Sequence, residues 1–290
     1  MGKMSTIFQF NKFSFICLPM KSYLSVLFLA LIGLSLTKDN SLEAPKVAVC
    51  IIGSDSTPDY QSMNSIVSLL ERNGYFVHKF YDPNNQWDGI KRVASDATVF
   101  VYSGHGTTMG IDGSYGGLVI DDFISAKRIA NELKFKHKAL IIYSSVCGGA
   151  GSSASDENDI GLEEAKRRVL GSALPYLMAG AGGYFAINQI SGAEKFLVNW
   201  MNQTNLSDGF VKASNSWYTI EMNGFYRDNR INSNIKMGVA SSSGGGISTV
   251  TSTVNGVKTV RQRLSPKSYD VAYLGDPYFT QRVSLTSTGY

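Results

Sequence analysis

Four short runs rich in β-branched and aromatic residues, 46–52, 75–81, 98–103 and 139–145, recur along the chain with helix-like segments between them. That alternation constrains the fold more than any other feature. Short apolar runs of this length are strands, and strands separated by helices must rejoin their sheet by crossovers rather than hairpins. Right-handed crossovers give a parallel sheet with helices on both faces. Runs 75–81, 98–103 and 139–145 are nearly continuously apolar, which predicts strands covered on both faces. Met63, Ile66, Val67, Leu69 and Leu70 recur at helical spacing, and Asn73-Gly74 supplies a C-cap. Phe123, Ile124, Ile129, Ala130 and Leu133 predict a second helix. A helix over 162–179 ends at Gly180-Ala181-Gly182-Gly183, a fifth strand follows over 184–188, and a further helix covers 193–202.

The last 65 residues change character. Ser241-Ser242-Ser243-Gly244-Gly245-Gly246 reads as a loop, and Asn255-Gly256 joins two alternating runs, 247–254 and 257–264. Asn-Gly between such runs predicts a hairpin with a type I′ turn, one that extends the sheet edge or covers the mouth of a site. There is no internal repeat and no heptad pattern.

The amino-terminal 37 residues carry Lys3, Lys12 and Lys21 and no acid. After Lys21 comes an apolar run of 13 residues, 24–36, with small residues at Ser35 and Thr37. A basic start, a short apolar run and a small-residue exit read as a secretory signal peptide, with Met20 as a natural start and 1–19 as an upstream extension. The alternative is a buried amino-terminal helix. The run is shorter than the roughly 20 residues that span a bilayer, so no stable membrane span is expected after removal of the leader. Three units of the formal charge of +4 therefore sit in the leader, and the rest of the chain, at +1, is close to neutral. A near-neutral body has no broad electrostatic footprint for nucleic acid. Hydrophobic content of 43% with 17% charged residues excludes intrinsic disorder. The expected organisation is a leader at 1–37 and a single domain at 38–290, with its core at about 46–200, exported to a secreted or periplasmic location.

Cys17 falls in the leader, leaving Cys50 and Cys147, too few for a disulfide scaffold. Cys50 lies inside the apolar run Val47-Ala48-Val49-Cys50-Ile51-Ile52, where a thiol behaves as a small hydrophobe. Cys147 instead opens a glycine-rich turn. In open α/β sheets ligands gather at the carboxyl ends of strands. The third run ends Tyr102-Ser103-Gly104-His105-Gly106-Thr107 and the fourth ends Ser144-Ser145-Val146-Cys147-Gly148-Gly149. If these two strands pair, His105 and Cys147 emerge at one rim. Thiolate chemistry needs a base or cation near the sulfur, and flanking glycines free backbone N–H groups to face an oxyanion. Taken singly, a histidine near a glycine turn is more often structural and a cysteine more often core filler. His78, inside a strand run, and His137, in a basic stretch, read as structural or surface residues. No second Cys or His stands at ligand spacing from either motif, and no G-x-S-x-G elbow is present, so neither metal nor serine chemistry is favoured.

At these residues the chain resembles the caspase-like cysteine peptidases, the group of caspases, metacaspases, legumains, clostripain and gingipains. Tyr102-Ser103-Gly104-His105-Gly106-Thr107 is close to the metacaspase form, and the 42-residue separation of His105 and Cys147 is near the legumain spacing. Leu274-Gly275-Asp276-Pro277 and Leu177-Met178-Ala179-Gly180-Ala181-Gly182 resemble segments of the gingipain branch. The likeness covers roughly 46–190 and the remainder only in pieces. It implies a flavodoxin-like, mostly parallel sheet with helices on both faces, plus the carboxy-terminal hairpin. It also implies a Cys-His dyad that needs no cofactor: Cys147 attacks a peptide carbonyl, His105 protonates the leaving amine, and the N–H groups of Gly106 and Cys147 form the oxyanion hole. Basic-specific members commonly carry an acid two positions before the nucleophile, where this chain has Ser145. On that ground Lys or Arg before the scissile bond is not strictly required. Asp55, after the first strand, is a candidate pocket acid as in the gingipain branch. Asp121-Asp122 and Asp156-Glu157 are either Ca²⁺ ligands or solvated loop charges.

The leading expectation is an exported cysteine endopeptidase acting on peptide or protein substrates. Its rivals are an inactive binding module of the same fold and a cysteine-dependent acyl transferase or ligase. Sequencing of the mature protein should place its amino terminus near Lys38; residues 1–37 found intact on a cytoplasmic protein would overturn both the leader and the export.

Overall fold

A computed structural model describes residues 45–53, 60–106, 115–189, 191–214, 218–227, 231–240, 247–254, 257–264 and 267–286, with backbone alone at 247–254 and 257–264. The leader, Asp55, Thr107 and the loop 241–246 lie outside these residues. Strand β1 (Val47–Ile52) is the buried centre of one half of the main sheet. It pairs in parallel with β2 (Phe76–Tyr81) on one side and β3 (Val99–Ser103) on the other. β3 pairs in parallel with β6 (Leu140–Ser144), and β6 with β7 (Gly183–Ile187). Beyond β7 the direction reverses: β12 (Tyr269–Gly275), β9 (Asn232–Ala240) and β8 (Tyr218–Arg227) add three antiparallel strands. The eight-stranded order is β2-β1-β3-β6-β7-β12-β9-β8. The chain is thus α/β with a large, mostly parallel sheet, and the order of its five parallel strands is consistent with a flavodoxin-like arrangement.

Side-chain alternation along each strand divides the core into two. Ala48, Cys50 and Ile52 of β1 join Val99, Val101, Leu140 and Ile142 on one face. That face is covered by α1 (Tyr60–Arg72), α5 (Gly192–Met201) and α6 (Leu206–Ser214). Val49, Ile51, Phe100, Tyr102, Ile141 and Tyr143 face the other layer. There α2 (Trp87–Ala94), α3 (Ala126–Glu132) and α4 (Gly161–Met178) pack. Helix α1 buries Met63, Ile66, Val67, Leu69 and Leu70, and ends where Gly74 takes φ +81°, letting the Tyr75 N–H return to the Leu70 carbonyl at 3.1 Å. The last helix, α7 (Gln281–Thr286), ties down the amino ends of the parallel strands: Ser284 Oγ donates to the Lys138 carbonyl at 2.6 Å. Among the described residues no helix is long and apolar enough to cross a membrane.

Three expectations need correction. The run 75–81 is not covered on both faces: β2 is the outermost strand, none of its residues is fully buried, and Phe76 is 66% exposed. Apolar content cannot separate an edge from a centre when the edge residues are aromatic and half-covered. The helix expected from Phe123 begins only at Ala126. Phe123–Ser125 forms β5, antiparallel to β4 (Gly117–Val119), and the Ser125 hydroxyl accepts from the Arg128 N–H as an N-cap. The hairpin of β10 (Ile247–Val254) and β11 (Val257–Leu264) does pair as read, but forms a two-stranded sheet of its own. It does not extend the main sheet, whose outer strands are β2 and β8.

Both described cysteines are free, and Cys50 is fully buried in β1. Burial pushes its thiol up to about 12, with the Lys79 charge opposing in part. Cys50→Ala should therefore leave any thiol chemistry intact and cost about 1 kcal/mol of stability by opening a small cavity. Urea denaturation of the variant checks this; alkylation of Cys50 in the folded protein would contradict it.

Candidate functional site

In the β3–β6 pair Tyr102 stands beside Tyr143 and Ser103 beside Ser144, so both chains leave the sheet at the same rim. Beyond β3, Gly104-His105-Gly106 turns towards the β6 loop. A Cβ placed on Gly106 would lie 1.9 Å from the Cys147 carbonyl oxygen and 2.8 Å from Val146 Cγ1. Only glycine permits that approach, and it brings the residue after His105 against the backbone of Cys147. The His105 side chain is exposed and Cys147 is half-buried. Among the described residues neither the Gly106 N–H nor the Cys147 N–H is engaged in a hydrogen bond. Of the residues expected to act together, Gly106 lies against the Cys147 backbone, Ser145 and Cys147 line one pocket, and His105 stands exposed one residue before Gly106.

The local backbone explains why. Ser145 takes φ +57°, a left-handed conformation that costs a residue with a Cβ about 1 kcal/mol. Its N–H still donates to the Ile187 carbonyl at 2.9 Å and its hydroxyl to the Asn188 carbonyl at 3.3 Å. The turn therefore stays in line with β7 while the chain swings, sending Val146 into the core and Cys147 to the rim. Gly148, at φ +75°, continues the turn and donates to the Ser152 carbonyl at 2.9 Å.

Beneath the rim lies a layer of tyrosines. The Tyr102 hydroxyl is 2.7 Å from the His105 carbonyl and 3.0 Å from that of Val119, and accepts from the Val119 N–H at 3.0 Å. Tyr143 donates to the Gly117 carbonyl at 3.2 Å, and its hydroxyl is 2.8 Å from that of Tyr176. Tyr184 donates to the Gly149 carbonyl at 2.9 Å. Rings of Tyr102, Tyr176 and Tyr184 each meet Tyr143 edge-on, at 5.3, 5.8 and 5.3 Å between centroids. Burial raises all four phenols well above their ordinary range, so each stays protonated throughout the physiological range.

A pocket of about 290 Å³ opens beside Cys147, bounded by Ser145, Asn188, residues 152–154, Ser268 and Asp270. Asp270 reaches this rim because β12 runs antiparallel to β7, so its amino end lies where the parallel strands have their carboxyl ends. Its Oδ1 accepts from Asn188 Nδ2 at 2.8 Å and from Ser268 Oγ at 2.6 Å. The wall at 152–154 is fixed through Arg168 of α4, which is 8% exposed. Arg168 pairs with Asp156 at 2.8 Å and Glu164 at 2.9 Å, and Asp156 Oδ2 accepts from the Ser153 N–H at 2.7 Å. Asp156 thus serves an ion pair, as does Asp122 with Arg128 at 3.0 Å. No group of three or more His, Cys, Asp or Glu side chains suited to a metal occurs among the described residues.

Asp270 and Asn188 escaped the reading of the sequence. The alternation of Tyr269-Asp270-Val271-Ala272-Tyr273-Leu274 marks a strand, but nothing in it says which way that strand runs. Comparison with protein-family models and with curated proteins found no match to this chain.

Tyr102→Phe keeps the ring and removes the hydroxyl that meets the Val119 N–H and the His105 carbonyl. It should lower stability by about 1–3 kcal/mol, the cost of leaving such buried groups unpaired. Thermal unfolding compared with Tyr81→Phe, whose hydroxyl is exposed in its 3.5 Å contact with Asn64, checks this; equal effects would show that the anchor carries nothing.

Proposed function

We propose that this protein is a cysteine endopeptidase of the caspase-like kind, exported through its leader. The observation that carries the reading is the Gly106 contact with the Cys147 carbonyl, which joins the His105 loop to the nucleophile's turn. In this reading His105 takes the thiol proton of Cys147, the Sγ attacks the carbonyl carbon of a peptide bond, and the oxygen becomes an anion. The unengaged N–H groups of Gly106 and Cys147 are the donors for that oxyanion. The C–N bond then breaks, His105 passes a proton to the departing amine, and a thioester is left on Cys147. Water, giving up a proton to His105, attacks the thioester; the C–S bond breaks, the acid is released, and His105 returns the proton to the sulfur to restore the thiol. No cofactor enters this sequence.

The strained turn at Ser145 supports the same reading, since residues held in the left-handed region cluster at working sites. Cys50 is excluded as the nucleophile by its complete burial.

Cys147→Ala should abolish peptide hydrolysis, and His105→Ala should lower turnover by about 10²–10⁴-fold. Both should melt close to the unsubstituted protein, because the two side chains sit at the rim rather than in the core. Peptide hydrolysis, labelling by an electrophilic peptide analogue and melting temperature are the measurements. Full hydrolysis by Cys147→Ala overturns the reading. Labelling of Cys147 without any turnover indicates the inactive binding module instead.

A further inference from the structure

The pocket beside Cys147 is lined by hydroxyls, an amide and one charged side chain, that of Asp270. Both hydrogen bonds to its Oδ1 come from neutral donors, Asn188 and Ser268, which orient the carboxylate without cancelling its charge. No ion pair among the described residues engages it. Its charge is felt nearby: Tyr218 is raised to about 12, first by burial and then by Asp270.

A carboxylate held in a partly enclosed cleft, with no cation of its own, focuses its field on whatever enters. We propose that Asp270 is the specificity-determining residue of this site, and that the side chain seated beside it is the Lys or Arg preceding the scissile bond. This rests on the peptidase reading of Cys147. At about 290 Å³ the pocket is near the lower limit for small-ligand sites, which suits one long side chain better than an extended ligand. The hydroxyls of Ser145, Ser152 and Ser153 add acceptors for the N–H groups of an ammonium or guanidinium. An acidic side chain would meet repulsion from Asp270, and an apolar one would strip water from the carboxylate without replacing it. Ser145 alone, standing where an acid often stands, left a basic residue optional; the charge arrives instead from the antiparallel side of the sheet.

Peptides differing only in Arg, Lys, Asn, Leu or Asp before the scissile bond would be assayed with the wild type, Asp270→Asn and Asp270→Glu. We expect the wild type to favour Arg and Lys over Leu by about 100-fold in kcat/KM, and Asp270→Asn to lose that margin, with Asp270→Glu retaining part of it. Agmatine, a free guanidinium, should slow alkylation of Cys147 by iodoacetamide in the wild type, whereas neutral pentanamide should not. This second measurement needs no variant to fold. Equal cleavage of Leu and Arg peptides by the wild type, an undiminished Arg preference in Asp270→Asn, or equal protection by agmatine and pentanamide each overturns the assignment of Asp270 while hydrolysis itself stands. Absence of hydrolysis for every peptide, with Cys147 unreactive, removes the peptidase reading and the assignment together.

Discussion

Three phenol hydroxyls hold the loops of the rim by their carbonyl oxygens. Tyr102 holds His105, Tyr143 holds Gly117 and Tyr184 holds Gly149, while Tyr176 bonds to Tyr143 from beneath. A loop carbonyl buried without a donor is costly, and a loop at a sheet rim has few partners of its own. Long rings rising from the strands solve both problems at once. Their edges pack in the core, and their hydroxyls reach up to the turns that the strands themselves cannot reach. The loops on either side of the thiol are thus held at fixed heights above one sheet.

The second constraint is the change of direction at β7. Five parallel strands supply the histidine and cysteine turns, whereas the pocket beside them needs the amino end of an antiparallel strand. The Asn188 N–H donates to the Asp270 carbonyl at 2.8 Å, and Ser152 and Tyr269 exchange hydrogen bonds at 3.0 and 2.8 Å. These bonds stitch the β12 end to the turns after β6 and β7. Arg168 fixes the same wall from the helical layer. The pocket is therefore held by these pairings, although every residue that lines it except Asp270 lies in a turn or loop.

The central strands were legible because their apolar runs are short, bounded and separated by helix-period segments; the observed limits of β1, β3 and β6 differ from the reading by at most one residue at each end. The His105 and Cys147 turns were legible for the same reason, since two adjacent parallel strands must end at one rim. What the pattern could not carry was position within the sheet. Aromatic β2 reads like a central strand and is an edge, and β5 reads like the first turn of α3 until the cap at Ser125 is seen. Helix α2 passed unread although Trp87, Ile90 and Ala94 lie on one face. Asp270 was hidden for a deeper reason. Its importance depends on the direction of β12, which is set by pairing across 80 residues rather than by anything local.

That long-range pairing also orders events in time. Asp270 leaves the ribosome about 120 residues after Cys147, which at roughly 5–20 residues per second is a delay on the order of 10 s. Once β7 has followed, the thiol's own turn and its parallel neighbours are all made, but the wall made by Ser268 and Asp270 is not. A nascent chain therefore exposes a sulfur with no pocket beside it, and the cleft comes into being only when the penultimate portion of the polypeptide docks along β7.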